Sequence, residues 1–270
     1  MIRDITLGQF FPGDSVIHRM DSRMKLVLTF GLIIFVFIAT SAVSAALLIA
    51  AVLALMVLTQ VPMKVYLRGL KPILIIVLFT AVLNIFYVKT GTVLVQWKFI
   101  LITTDGLLRC ARIAIRIAVM VLLSSALTYT TSPTDLTDAL EHLMKPLRKI
   151  RVPVHEIAMM MTIALRFVPT LLDETDKITS AQKARGADLE SGNLLQRMRA
   201  MIPILIPLFV SAFRRAFDLA MAMECRCYHG GDGRTSMKQP KLHRRDYIAL
   251  AVSVVFCVGV VLCNRIPPQL

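Results

Sequence analysis

The chain is 270 residues long and 56% hydrophobic, with a formal net charge of +14. So many unbroken apolar runs do not fit a soluble domain of this length; they define an integral membrane protein. Five cysteines, an odd number with Cys257 and Cys263 inside an apolar run, argue against a secreted disulfide framework.

Met1 to Phe11 lacks the basic, apolar, small-residue order of a cleaved signal peptide. Four long apolar stretches follow, at about Leu26–Thr40, Val43–Val61, Pro72–Val88 and Leu107–Thr130, and a fifth runs from Tyr247 to Cys263. Most approach the ~20 residues a helix needs to cross ~30 Å of hydrocarbon. Arg19, Arg23 and Lys25 before the first stretch, and Lys64, Arg68 and Lys71 before the third, predict cytoplasmic segments. The uncharged turn at Ser41 and Ala42 suits the outside, as does the segment from Lys89 to Asp105, with only Lys89 and Lys98. Five spans then leave the N-terminus inside and the C-terminus outside, where Arg265 is the only basic residue after the last span.

Two further apolar segments, Val154–Leu172 and Met201–Phe213, could pass for spans. If both crossed, the segment with Lys177, Lys183, Arg185, Arg197 and Arg199 would lie outside, against the orientation rule. The second is also cut short by Arg214 and Arg215, too soon to cross. The expected architecture is therefore an all-α membrane protein with about five spans and a cytoplasmic block of amphipathic helices. Its parts are residues 1–130, 131–246 and 247–270. The middle block holds 18 of the 31 Lys and Arg residues and 13 of the 17 Asp and Glu residues. Most of the charged residues thus belong to a cytoplasmic surface, and nucleic acid is not needed to explain them.

Within this block, Ser132-Pro133-Thr134-Asp135 reads as a helix start: serine as cap, proline in the first turn, an acid three residues on. Leu136, Leu140, Leu143, Leu147 and Ile150 then form one apolar stripe that ends among Lys145, Arg148, Lys149 and Arg151. Consecutive Met159, Met160 and Met161 suit either ordinary packing or an adaptable partner surface. The charged stretch 173–188 ends in Ala184-Arg185-Gly186, and the stretch from Phe213 ends in Cys225-Arg226-Cys227 before Tyr228, His229, Gly230 and Gly231. Gly186 and the Gly230–Gly231 pair are predicted to stop their helices. An arginine near a helix C-terminus is often only a partner for the helix dipole. Two of them, each between small residues that let another backbone approach, point instead to guanidinium anchors on a partner protein.

These residues resemble the transmembrane T components of energy-coupling-factor transporters over essentially the whole chain. The likeness runs through Phe11-Pro12-Gly13-Asp14-Ser15, Asp21-Ser22-Arg23-Met24-Lys25-Leu26, and Ala164-Leu165-Arg166-Phe167-Val168-Pro169-Thr170. It continues in Ala181 to Asp188 and in Ala222-Met223-Glu224-Cys225-Arg226-Cys227-Tyr228. The resemblance implies two coupling helices, each with a small-Arg-small motif seated in a groove on one of two ABC-type ATPase subunits. It also implies a separate membrane S component that binds a vitamin or metal, docked on the apolar and Met-rich faces. Arg185 and Arg226 map to the motif arginines; cysteine on both sides of Arg226 departs from the commoner Ala-Arg-Gly. No cofactor is implied.

Cys225, Cys227, His229 and His243 offer soft metal ligands, but cysteines two apart on a continuing helix point away from each other. A secondary transporter would carry mid-span acids or broken repeats, and none is evident. Arg109, Arg112 and Arg116, on one face of the fourth span, are the unusual feature; Arg116 is expected to pair with a buried partner. An enzyme is not supported: the sequence has no G-x-x-x-x-G-K-[ST], H-E-x-x-H or G-x-S-x-G pattern, and its five histidines are scattered.

Overall fold

The computed structural model describes residues 10–39, 41–87, 93–97, 100–187, 193–231 and 242–264. Its elements are α1 (Ser22–Ile38), α2 (Ala42–Thr59), α3 (Met63–Tyr87), β1 (Val93–Trp97), β2 (Ile100–Thr103), α4 (Thr104–Thr130), α5 (Pro133–Met144), α6 (Val154–Ala184), α7 (Leu194–Glu224) and α8 (Arg244–Asn264). The chain divides into two compact units, with the division falling inside α5: one is Gly8–Ala139 with Pro240–Leu270, the other is centred on Leu140–Gln239.

In the first unit α4 packs against α1, α2 and α3, while α8 packs against α1 and α2. Val36, Leu48, Val52, Met56, Val119 and Leu123 form the core, and Tyr66 meets Tyr129 edge to face at 5.2 Å. Polar contacts fasten the two ends of this bundle. At one end Asp21 caps α1 by accepting from the Arg23 amide, and Asp246 accepts from the Asp21 amide at 3.0 Å. Beside them, buried Lys25 donates to the carbonyls of His18 and Thr130. The starts of α1 and α8 and the end of α4 therefore lie together. At the other end the Ser41 amide donates to Asn264 Oδ1, and Asn264 donates to the carbonyl of Ile38. Such side-chain partners satisfy backbone groups that helix termini leave unpaired. Outside the core, Leu74, Ile75, Leu78, Phe79 and Val82 of α3 and Val255, Val258 and Leu262 of α8 are exposed, as helices facing lipid require.

Several boundaries differ from the sequence expectation. Helix α1 starts at Ser22, so Arg23 and Lys25 lie in its first turn, and Lys64, Arg68 and Lys71 belong to α3 rather than to a connection. The Asp21 cap starts α1 ahead of its apolar run, and α3 begins at Met63, well before its own. Between α3 and α4 the chain forms an antiparallel hairpin, with Val93 opposite Thr103 and Trp97 opposite Ile100. Its strands are rich in the β-branched and aromatic residues that favour extended backbone. Lys89, Lys98, Asp188 and Arg265 lie outside the described residues.

Helix α5 starts as expected: the Ser132 hydroxyl accepts from the Asp135 amide. It stops at Met144, however, and the stripe continues as a 3-10 turn, Lys145–Ile150. Pro146 is the cause, since its ring disfavours α-helical backbone in the residue before it. The largest difference lies in the second unit. Val154–Leu172 and the charged stretch after it form one helix of 31 residues, and Met201–Phe213 is the middle of another helix of 31 residues. The expectation that the second run is too short to cross therefore fails. By length and composition, α6 and α7 are sufficient to span a bilayer, as are residues Gly106–Thr130 and Arg244–Asn264.

Candidate functional site

Contacts between α6 and α7 pair residues whose numbers fall at one end and rise at the other. Gln182 donates to the carbonyl of Pro203 at 3.5 Å, Arg215 meets Glu174 at 2.8 Å, and Gly231 lies against the ring of His155. The two helices thus run antiparallel side by side. Hydrogen bonds from Ser211 and Arg215 hold the Glu174 carboxyl below its ordinary range, the Ser211 bond contributing most. At the start of the pair, His155 is 3.1 Å from Glu141.

Both predicted triplets sit at the ends of these helices, and their backbones close in the same way. After α6, Gly186 is left-handed (φ +88°); its amide donates to Lys183 O at 3.0 Å, and the Ala187 amide donates to Gln182 O at 3.0 Å. After α7, Cys227 is left-handed (φ +55°); its amide donates to Glu224 O at 2.8 Å, and the Tyr228 amide donates to Met223 O at 3.0 Å. Each is a Schellman cap, with paired bonds that satisfy carbonyls at the helix end. Arg185 and Arg226 each stand immediately before the left-handed residue. The glycines expected to end α7 come too late, because Cys227 has already made the turn. Sequence offers no signal for this, since cysteine carries no left-handed preference.

All six triplet residues, Ala184, Arg185, Gly186, Cys225, Arg226 and Cys227, are exposed. No hydrogen bond or ion pair joins either guanidinium to another described residue. The two arginines are not brought together. Since Gln182 is level with Pro203, about 23 residues of α7 separate the ends, which at 1.5 Å per residue places the guanidiniums roughly 35–40 Å apart along the pair. Between them α7 exposes an apolar row that includes Met198, Ile202, Leu205, Phe209, Phe213 and Phe217, and α6 exposes Met160 and Met161. A face of this length marks a membrane or protein contact.

The alternative metal site gains one point and loses another. The helix has ended before Cys227, so the two cysteines are no longer held on opposite faces, yet among the described residues no third His, Cys, Asp or Glu joins them. Arg116 does have the partner expected of it, though not an acid. It donates to the carbonyl of Ala39 at 3.0 Å and lies 5.8 Å from the centre of the Phe37 ring.

Long apolar helices and lipid-suited faces define an all-helical membrane protein. A family model described as "Cobalt transport protein" (CbiQ) matches residues 13–237. Proteins named energy-coupling factor transporter transmembrane protein EcfT are similar along nearly the full length. That of Ruminiclostridium cellulolyticum is 53% identical over 266 residues, 98% of this chain and 99% of its own. That of Clostridium kluyveri is 52% identical over 264 residues, 96% of this chain and 97% of its own. That of Lactococcus lactis subsp. cremoris is 41% identical over 265 residues, 98% of this chain and 100% of its own. The chain belongs to this family of multi-pass transporter membrane components.

Proposed function

We propose that the chain is the transmembrane coupling subunit of an energy-coupling-factor ABC importer. It passes the ATP-driven motion of two ATPase subunits to a substrate-binding S component in the same membrane. The observation that carries this reading is the pair of matching caps, each presenting an exposed arginine, at opposite ends of α6 and α7. A separation of roughly 35–40 Å is too large for one binding groove and suits two subunits, one at each end. The planar guanidinium would anchor on acidic or carbonyl groups, where lysine substitutes poorly. Small neighbours keep the approach open, and Cys225 and Cys227 meet that need as Ala184 and Gly186 do. The apolar row on α7 and the exposed methionines of α6 would carry the S component. Catalysis of ATP hydrolysis is assigned to the partners, and no cofactor to this chain.

Membrane placement follows from the same pair. Were α6 and α7 a membrane-crossing hairpin, Arg185 and Arg226 would face opposite sides of the bilayer, with Lys183, Arg185, Arg197 and Arg199 outside. Placing the pair along the cytoplasmic interface puts both arginines within reach of the ATPases. Residues 1–130 and 247–270 then supply five spans, α1 to α4 and α8, with the N-terminus inside and the C-terminus outside. The shared ends within the first unit agree with this alternation: α1 and α8 begin where α4 finishes.

A vitamin or other micronutrient is the proposed cargo, recognised by the S component. A second reading, a dedicated cobalt or nickel importer, is favoured by the description of the matching family model. The relatives' name, which specifies no metal, favours the first. The test of the coupling role is co-purification of the ATPase subunits with wild type, Arg185→Glu, Arg226→Glu and the double variant in nanodiscs. Each reversal should weaken one ATPase contact by about 2–5 kcal/mol, the cost of leaving a charged contact unpaired. The double variant should lose both subunits while remaining folded. If the ATPases stay bound to the double variant and uptake is unchanged, the triplets are only helix ends.

A further inference from the structure

The charge rule leaves one feature unexplained. Arg109, Arg112 and Arg116 stand on one face of α4, at the end of the bundle away from the Lys25 cluster, where the α1–α2 turn carries no basic residue. The bond from Arg116 to Ala39 sets their depth. Helices α1 and α2 have 17 and 18 residues, about 26 and 27 Å at 1.5 Å per residue, so their connecting turn falls at the edge of a ~30 Å hydrocarbon layer. Arg116 is level with that turn, and Arg112 stands roughly 6 Å further out along α4. Both guanidiniums therefore lie in the headgroup layer.

An open recess joins them there. Arg112, Arg116 and Ser41 line its polar part, and Ala45, Leu48 and Ile115 its apolar part. Arg116 is fixed by Ala39 and flanked by the Phe37 ring, so its orientation is set before any ligand arrives. The Arg112 side chain is exposed and has no hydrogen bond or ion pair with another described residue. Two guanidiniums above an apolar wall match a phospholipid, with its phosphate taking the planar donors and its acyl chain starting along the half-buried Ala45 and Ile115.

We infer that this recess is a binding site for an anionic phospholipid of the leaflet at that end, phosphatidylglycerol being the simplest. The site holds the lipid through phosphate contacts with Arg112 and Arg116. The inference does not depend on the coupling role; naming the leaflet as the outer one does. The test is native mass spectrometry of the detergent-purified full chain with added phosphatidylglycerol or a phosphate-free diglucosyl-diacylglycerol. Wild type should retain phosphatidylglycerol in preference to the glycolipid. Arg112→Gln, which leaves the Arg116–Ala39 bond in place, should lower that retention about tenfold, the loss of one charge-assisted contact. Arg68→Gln, in α3, should leave it unchanged. Equal retention by wild type and Arg112→Gln, or equal retention of the two lipids, overturns the site. Displacement of the lipid by millimolar inorganic phosphate also overturns it, since the recess would then be a free-anion site.

Discussion

At the end of α6 the left-handed position is held by Gly186, and a Cβ built there meets nothing within 4 Å. At the end of α7 the same position is held by Cys227, whose Cβ makes such a backbone cost roughly 1–2 kcal/mol. The two caps nevertheless make the same pair of hydrogen bonds. What differs is the chain behind them. Four residues after Cys227, Gly231 is pressed against the ring of His155, which faces Glu141, so the segment leaving α7 is held on the start of α6. The end of α6 has a lighter tie, the single 3.5 Å bond from Gln182 to Pro203. The position of each arginine is thus set by cap hydrogen bonds, not by the identity of the flanking residues. Where the cap residue is unfavourable, a brace from the neighbouring helix offsets the strain.

A common role for the two arginines requires that both ends face the same compartment, and the test of that requirement is all-or-none. A chain retaining only Cys225 and Cys227, and a second with Ala184→Cys as its sole cysteine, are treated with a membrane-impermeant maleimide in intact cells and in inverted vesicles. Both ends should label only in inverted vesicles. Labelling of the Ala184→Cys chain in intact cells would make α6 and α7 a crossing hairpin and remove the common role of the two arginines.

The brace comes next in size. A Cβ on Gly231 would lie 2.3 Å from His155 Cδ2, so Gly231→Val must displace either the ring or the chain. Overpacking of this kind costs about 1–3 kcal/mol. The effect should fall on the contact made by Arg226 and spare the one made by Arg185, measured as affinity for each ATPase subunit. Adding His155→Ala should recover the loss. Equal weakening at both ends, or no recovery in the double variant, would show that the brace does not position the second cap.

Much of this was legible in the sequence because it depends on local chemistry. Ser132, Pro133 and Asp135 announced the start of α5, Gly186 announced the end of α6, and the long apolar runs gave an all-helical membrane protein. Small residues on both sides of Arg185 and Arg226 marked the triplets, and the structure places both at matching helix ends. Other features depend on contacts that sequence does not display. The full length of α7 was missed because Arg214 and Arg215 end the apolar run without ending the helical backbone. Arg116 lacked a visible partner because that partner is a carbonyl, which every residue carries. The meeting of Gly231 with His155 spans 76 positions, and nothing local marks it. The β1–β2 hairpin was read as a plain connection because its two short strands lie between dominant apolar helices.

The smallest expected effect is also the one that isolates the cap. Exchanging residues at the left-handed position leaves each arginine and each brace in place. Gly186→Cys should destabilise the end of α6 by about 1 kcal/mol, and Cys227→Gly should stabilise the end of α7 by a similar amount. Global unfolding would hide so small a change in a membrane protein, so the readout is hydrogen exchange of the cap amides, which reports local opening. The Tyr228 amide, bonded to Met223 O, should exchange about fivefold more slowly in Cys227→Gly, and the Ala187 amide faster by a similar factor in Gly186→Cys. An unchanged Tyr228 amide would mean that the Cys227 side chain already compensates for its own backbone. The brace at Gly231 would then have no strain to offset, and its contact with His155 would serve only to place Arg226.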